Sequence, residues 1–385
     1  MKFKLMMGTV FIPLLALAVV TQLYLFMPVS TNLVIFVKYA TPNNIGLLTT
    51  IFGIFYASGL IIWGSLSDKI GKDLTLIIGL LLLACISFIV PLLKNYYLLL
   101  FARAIQGFCA ASFPPVALAW VSINLSESSK PIAISMISCT FLLAATVGQW
   151  LGSFLISNSL YCSMWFLGSV YIFGATIFYI YRSNIKQDNQ VLTDISLLTI
   201  FYKLPNLLTN RKLFPIYVCS LFVLLSFVTL YFLLHRSPLM IYVPILRNIS
   251  VFALLFSLTA SYLFKVIEPV FVLAISLCLM AVSLLIHMFF LNGQLNNVFI
   301  LYLFHFILII ALAYAVPSMI ICVALQAELK DRGIATSLYT CILFIGASLG
   351  SYLPTLINPL ILIIALAILL LICSLQLIFN LQLNR

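Results

Sequence analysis

Charge is what this chain has least of. Asp, Glu, Lys and Arg make up 7% of its 385 residues, and only eight of them are acidic. Soluble globular domains carry about 25% charged residues, so a soluble fold is excluded. Histidine is scarce too: His235, His287 and His305 are the three, with no His-x-x-x-His spacing. No Ser/His/Asp grouping and no phosphate-binding glycine loop accompanies them, so no catalytic residue is expected. The nine cysteines are scattered without a C-x-x-C pair. They read as small hydrophobes in packing, with no disulfide framework, metal site or cofactor. Long polar stretches are missing as well, which leaves no room for a sizeable soluble sensor domain.

What fills the chain is apolar. Hydrophobic residues account for 64% and aromatics for 14%, and mean hydropathy is +1.25. A helix needs about 20 mainly apolar residues to cross a bilayer. Twelve such runs stand out, at roughly 7–28, 44–63, 74–93, 97–122, 132–156, 163–181, 213–234, 246–264, 270–290, 298–322, 334–356 and 359–380. The fold class is therefore an all-α polytopic membrane protein. A net charge of +11 is explained by topology, without a nucleic-acid partner. With a cytoplasmic N-terminus and alternating sides, fourteen of the nineteen Lys and Arg fall on the cytoplasmic face. Lys38, Lys94, Arg236 and Arg247 fall outside, and Arg103 falls within a span. This bias orients both termini to the cytoplasm. Lys2 and Lys4 before an apolar run resemble the start of a signal peptide, but the run continues past residue 20 without a small-residue cleavage site, so the segment is expected to stay as a span.

One short stretch interrupts the monotony. Gly64-Ser65-Leu66-Ser67-Asp68-Lys69-Ile70-Gly71-Lys72 lies between the second and third runs and reads as a tight, glycine-bracketed hairpin. Its pattern, G-x-L-x-D-[RK]-x-G-[RK], resembles the signature loop between the second and third helices of the major facilitator superfamily. The resemblance implies a gating latch carried by Gly64, Leu66, Asp68, Lys69, Gly71 and Lys72, with Asp68 locking one alternating-access state. Asp73 stands where the family often has a further basic residue, and the second-half copy is reduced to Lys265-Val-Ile-Glu268. In the fourth run, Arg103-Ala-Ile-Gln106-Gly107 is similar to the family's R-x-x-Q-G pattern. An arginine in a membrane helix is expensive and faces a cavity or a partner. Arg103 reads as a substrate-anion contact, as coupling machinery, or as a structural arginine bonded to backbone carbonyls. Ala144-x-x-x-Gly148-x-x-x-Gly152 and Gly346-x-x-x-Gly350 space small residues for close helix packing. Gln149 occupies the place of the proline in the exporters' glycine-proline motif.

The two halves repeat. A shift of 202 residues lays Asn95 on Asn297, Pro115 on Pro317, Ile132-Ala133-x-Ser135 on Ile334-Ala335-x-Ser337, and Gly148 on Gly350. It also lays Arg103 on His305. A shift of six helices keeps both copies pointing the same way, as in the two parallel six-helix pseudo-repeats of the major facilitator fold. The expected organisation is an N-terminal bundle over 1–182, a polar cytoplasmic linker over 183–212 and a C-terminal bundle over 213–385.

All eight acidic residues map to cytoplasmic loops in this topology, so no carboxylate is expected within a span. A coupling proton, if one is used, falls to His287 or His305 with Arg103, since histidine titrates in the useful range. By the family's architecture, spans one, four, seven and ten line the central pore. The substrate or coupling candidates there are Gln22, Tyr24, Arg103, Gln106, Thr229, His305 and Tyr314. The resemblance, which lies nearest the drug and metabolite efflux branch, implies a monomeric secondary transporter of the inner membrane exporting a small metabolite or drug. The alternatives are an importer or facilitator of a small organic anion, and, in another class, a membrane enzyme or sensor.

Overall fold

The computed structural model describes residues 2–26, 37–41, 44–126, 129–156, 160–183, 204–328 and 331–383. Among these residues every extended element is helical, and twelve segments are long and apolar enough to cross a membrane. They are Phe3–Tyr24, Leu47–Gly64, Lys72–Leu92, Tyr96–Val121, Met136–Ser153, Cys162–Arg182, Phe214–His235, Pro238–Thr259, Pro269–Leu291, Val298–Gln326, Ile334–Leu356 and Pro359–Phe379, here numbered as spans one to twelve. Side chains such as Phe101, Phe173, Tyr179 and Phe299 stand more than half exposed. On a soluble protein so many exposed apolar groups would be a liability, whereas a lipid-facing surface requires them. The chain is a multi-pass integral membrane protein.

The chain divides into two compact units, Met1–Leu204 and Pro205–Arg385, each holding six spans. Within the first unit, span one packs most extensively on five, two on four, and three on six. In the second unit, seven packs on eleven, eight on ten, and nine on twelve, with a further contact between nine and ten that is more extensive than its counterpart between three and four. The same pairing order recurs, so the 202-residue repeat in the sequence is a repeat of helix contacts. Local chemistry repeats as well. Asn95 and Asn297 cap the fourth and tenth spans, their Oδ1 atoms accepting from the amides of Tyr97 (2.9 Å) and Phe299 (3.0 Å). A cap of this kind satisfies helix-end donors that otherwise have no partner.

Glycine sets how closely the paired helices approach. A Cβ at Gly148 would lie 2.8 Å from the Thr21 carbonyl of span one, and one at Gly350 would lie 2.8 Å from the Leu225 carbonyl of span seven. At Gly346 a Cβ would overlap the Leu221 carbonyl, and at Gly107 it would overlap that of Phe52. Gly152 is also buried.

Four expectations need correction. The stretch 64–72 is no hairpin loop: helix Leu47–Ile70 runs straight through it, and helix Lys72–Ile89 begins one residue later. The whole turn is made by Gly71, at φ 92° and ψ 146°, a conformation open to glycine and strained for any residue with a Cβ. Asp73, expected in a loop, therefore sits in the first turn of span three. The eighth span begins at Pro238, eight residues before the expected 246, and runs through two tighter 3₁₀ segments, Pro238–Tyr242 and Leu255–Thr259. Arg247, expected outside the membrane, is consequently within that span and buried. Residues 184–203, most of the expected linker, lie outside the described residues.

Candidate functional site

In the first unit five spans converge on one guanidinium. Arg103, fully buried on span four, donates from Nη1 to Gln106 Oε1 (2.6 Å), from Nη2 to the Gln22 carbonyl (3.2 Å) and from Nε to the Leu48 carbonyl (3.3 Å). Its Cζ lies over the rings of Phe26 (4.3 Å from the centroid) and Phe52 (4.2 Å). Both contacts are attractive because each ring presents a negative face to the cation. Gln106 passes the network on. Its Nε2 donates to Ser87 Oγ (3.0 Å), Gln22 Oε1 (3.4 Å) and the Met164 sulfur (3.7 Å), and Ser87 donates to the Leu83 carbonyl (2.7 Å). Gln22 Nε2 also reaches Ser87 Oγ at 3.4 Å. Spans one, two, three, four and six are thus tied through one charge. Tyr24 is buried beside this network, its Cβ against Gly148.

At the junction of spans two and three, Lys72 is buried and donates from Nζ to Ser67 Oγ (3.0 Å), which in turn donates to the Gly64 carbonyl (2.6 Å). Leu66 is half-buried and Lys69 is exposed. The Asp68 side chain lies outside the described side chains. Beside the junction, Asp73 Oδ1 accepts from Trp120 Nε1 at 2.7 Å. Trp120 is fully buried and meets Tyr181 edge-on, 5.5 Å between centroids, and Asp73 interacts electrostatically with Arg182 and Lys4. This knot joins spans one, three, four and six. Its indole–carboxylate contact escaped the sequence reading because Trp120 lies forty-seven residues from Asp73.

In the second unit the polar centre is histidine. His305 Nε2 lies 3.0 Å from Ser250 Oγ and 3.1 Å from Tyr231 Oη, and those two oxygens are 2.8 Å apart. His287 packs edge-to-face on His305, with 5.5 Å between centroids, and His235 Nδ1 lies 2.7 Å from the Tyr231 carbonyl. Tyr231 and His287 lie among the polar span residues that the sequence already singled out, whereas Ser250 was missed; the sequence signal for this centre was the shift that places His305 on Arg103. The other two candidates lie apart from this cluster. Thr229 Oγ1 donates to the Gly350 carbonyl (3.3 Å) in the seam with span eleven, and Tyr314 Oη pairs with Thr259 Oγ1 (2.8 Å). Among the described residues no group of three His, Cys, Asp or Glu side chains is placed to hold a metal.

Two six-span units, each with a buried polar centre and a glycine-tight helix pairing, define a two-bundle helical membrane protein. Residues 5–250 match the Major Facilitator Superfamily, and the chain belongs to that family. Curated relatives agree over shorter stretches. The chain is 28% identical to the vacuolar basic amino acid transporter 5 of Saccharomyces cerevisiae over 115 residues, 30% of this chain and 20% of that protein. It is 28% identical to the azole resistance protein 1 of the same yeast over 121 residues, 31% and 20% of the two chains. To the major facilitator superfamily multidrug transporter FLU1 of Candida albicans it is 29% identical over 113 residues, 29% and 18%. The matched stretch spans about a fifth of the length of these relatives.

Proposed function

We propose that this protein is a secondary transporter that exports a small, partly apolar metabolite or drug across the inner membrane by alternating access, with both termini cytoplasmic. The observation that carries this reading is the family match over residues 5–250, which takes in both the Gly64–Lys72 junction and the Arg103 network. Two relatives named for azole resistance and multidrug transport favour amphiphilic substrates, and a basic amino acid transporter among them keeps cationic metabolites in the class. The junction serves as the gating latch. One glycine joins two long helices there, so a rotation of either helix is transmitted to the other with little slack, and Asp68 fixes one of the two settings. Arg103 holds the first unit together around Gln22 and Gln106. A proton is the driving ion, and the protein works as a monomer.

Import of a small organic anion is the weaker reading. It needs Arg103 to offer its guanidinium to substrate, whereas its three nitrogens already donate to Leu48, Gln22 and Gln106. The test is retention of ethidium and a panel of labelled amphiphiles in efflux-deficient cells, comparing wild type with Asp68→Asn at matched expression. Lower retention with wild type alone supports export through a cycle that uses Asp68. Equal retention in both removes amphiphile export.

A further inference from the structure

His287 and His305 present an arrangement that a neutral apolar core does not explain. Both side chains are fully buried. Hydrogen-bond chemistry assigns their tautomers, since a carbonyl can only accept and a neutral imidazole has one N–H and one bare nitrogen. His287 Nδ1 lies 2.7 Å from the Ser283 carbonyl, so Nδ1 carries the hydrogen and Nε2 is bare. Ser250 spends its single hydrogen on the Leu246 carbonyl (2.9 Å) and therefore accepts from its other neighbours. The best-satisfied arrangement has Tyr231 Oη–H and His305 Nε2–H both donating to Ser250, which leaves His305 Nδ1 bare. His287 Nε2 and His305 Nδ1 are both buried without a hydrogen-bond partner. Two adjacent buried rings thus each keep one nitrogen without a hydrogen-bond partner, an arrangement that is costly unless something further is bound there. Their centroids lie 5.5 Å apart, edge to face, close enough that a proton on one ring is felt by the other.

We propose that His287 and His305 form a proton-binding site that takes one proton between them, bridging spans nine and ten. Use of this site for coupling rests on the export reading above. The structure corresponds to the proton-released form. Facing groups explain why the proton cannot simply remain. Span seven presents Tyr231 and His235, and span eight presents Arg247, which interacts electrostatically with both. Among the described residues no carboxylate contacts either imidazole. A positive charge on the buried pair, whose neighbour Tyr231 already interacts with the Arg247 cation, is therefore retained only when water or an anionic group enters. Proton uptake and opening of the seam between spans seven, eight, nine and ten become one event. Balance is simple: one proton is bound, no bond other than N–H forms, and nothing is oxidised or reduced.

The full-length protein in lipid nanodiscs, labelled only at histidine with 13C and 15N, yields three sets of imidazole signals, one for each histidine in the chain. His235→Gln, His287→Gln and His305→Gln assign them. Titrated from pH 5 to 9 with protons as the only ligand, the His287 and His305 signals are expected to move together in one shared step. The single-histidine variants should displace the remaining partner's midpoint by about 1 pH unit, the signature of coupled sites. Tyr231→Phe, which keeps the ring, should change the His305 tautomer ratio. The proposal is overturned if neither signal titrates in this range, or if each titrates with its own midpoint unchanged by loss of the other. If the variants fail to fold, the wild-type titration decides alone. No substrate is added, so a failed titration leaves the export reading standing, and a lack of ethidium export leaves a shared step standing.

Discussion

Replacing Arg103 with lysine keeps the charge and removes the shape, which makes it the sharpest perturbation of the first unit. The guanidinium reaches acceptors on spans one, two and four from three nitrogens while its Cζ sits over two aromatic rings. An ammonium is a compact point charge and cannot do both. One lost hydrogen bond within a membrane bundle is worth about 0.6–1.7 kcal/mol, and loss of the guanidinium's contact with two rings is worth about 1 kcal/mol. The variant should therefore be destabilised by about 2–3 kcal/mol. For a unit of this size, each kcal/mol moves the unfolding midpoint by about 2–4 °C, so a drop of about 5–10 °C is expected. The assay is built into the chain. All four tryptophans, Trp63, Trp120, Trp150 and Trp165, lie in the first unit, so intrinsic fluorescence during heating in detergent reports that unit selectively. A midpoint within about 1 °C of wild type would refute the reasoning, since it would mean that the fork and the aromatic contacts contribute nothing.

Gly71→Ala places a Cβ at φ 92° and should cost about 1–3 kcal/mol, read as a lower tryptophan midpoint; an unchanged midpoint would show that the junction relaxes freely. Trp120→Phe keeps the edge contact with Tyr181 but leaves Asp73 Oδ1 without its donor, a loss of about 1–3 kcal/mol. Because the effect works through one hydrogen bond, it should largely vanish in an Asp73→Leu background, and additive losses in that double-mutant cycle would contradict it. Gly346→Ala drives a Cβ into the Leu221 backbone carbonyl. Its yield of monodisperse protein after size exclusion should fall several-fold, and a wild-type elution profile would show that spans seven and eleven can separate at no cost.

Much of this was legible because membranes impose simple rules on sequence. A span must be apolar for about 20 residues, so eleven of the twelve fell within a few residues of their places, and the repeat foreshadowed a helix pairing that recurs in both units. The exceptions share one cause. Where a polar residue lies inside a span, hydropathy pushes the expected boundary away from it, and only a partner distant in sequence pulls it back. Arg247 stood at the very edge of the expected eighth span, 246–264; the folded chain sets it well inside the span and buries it near Tyr231 and His235. Asp73 looked like a loop residue because it follows two lysines and two glycines, yet Trp120 brings it into the first turn of span three. The polar centres show the same limit from the other side. Gln22 and Gln106 were visible as unusual residues, but the rings of Phe26 and Phe52 that enclose Arg103 were two phenylalanines among thirty-one. Equivalent positions under the repeat hold a permanent cation in one unit and an imidazole in the other. The Arg103 centre can only keep its charge, whereas an imidazole can gain or lose one, and that asymmetry is the reason to seek the proposed proton site in the second unit.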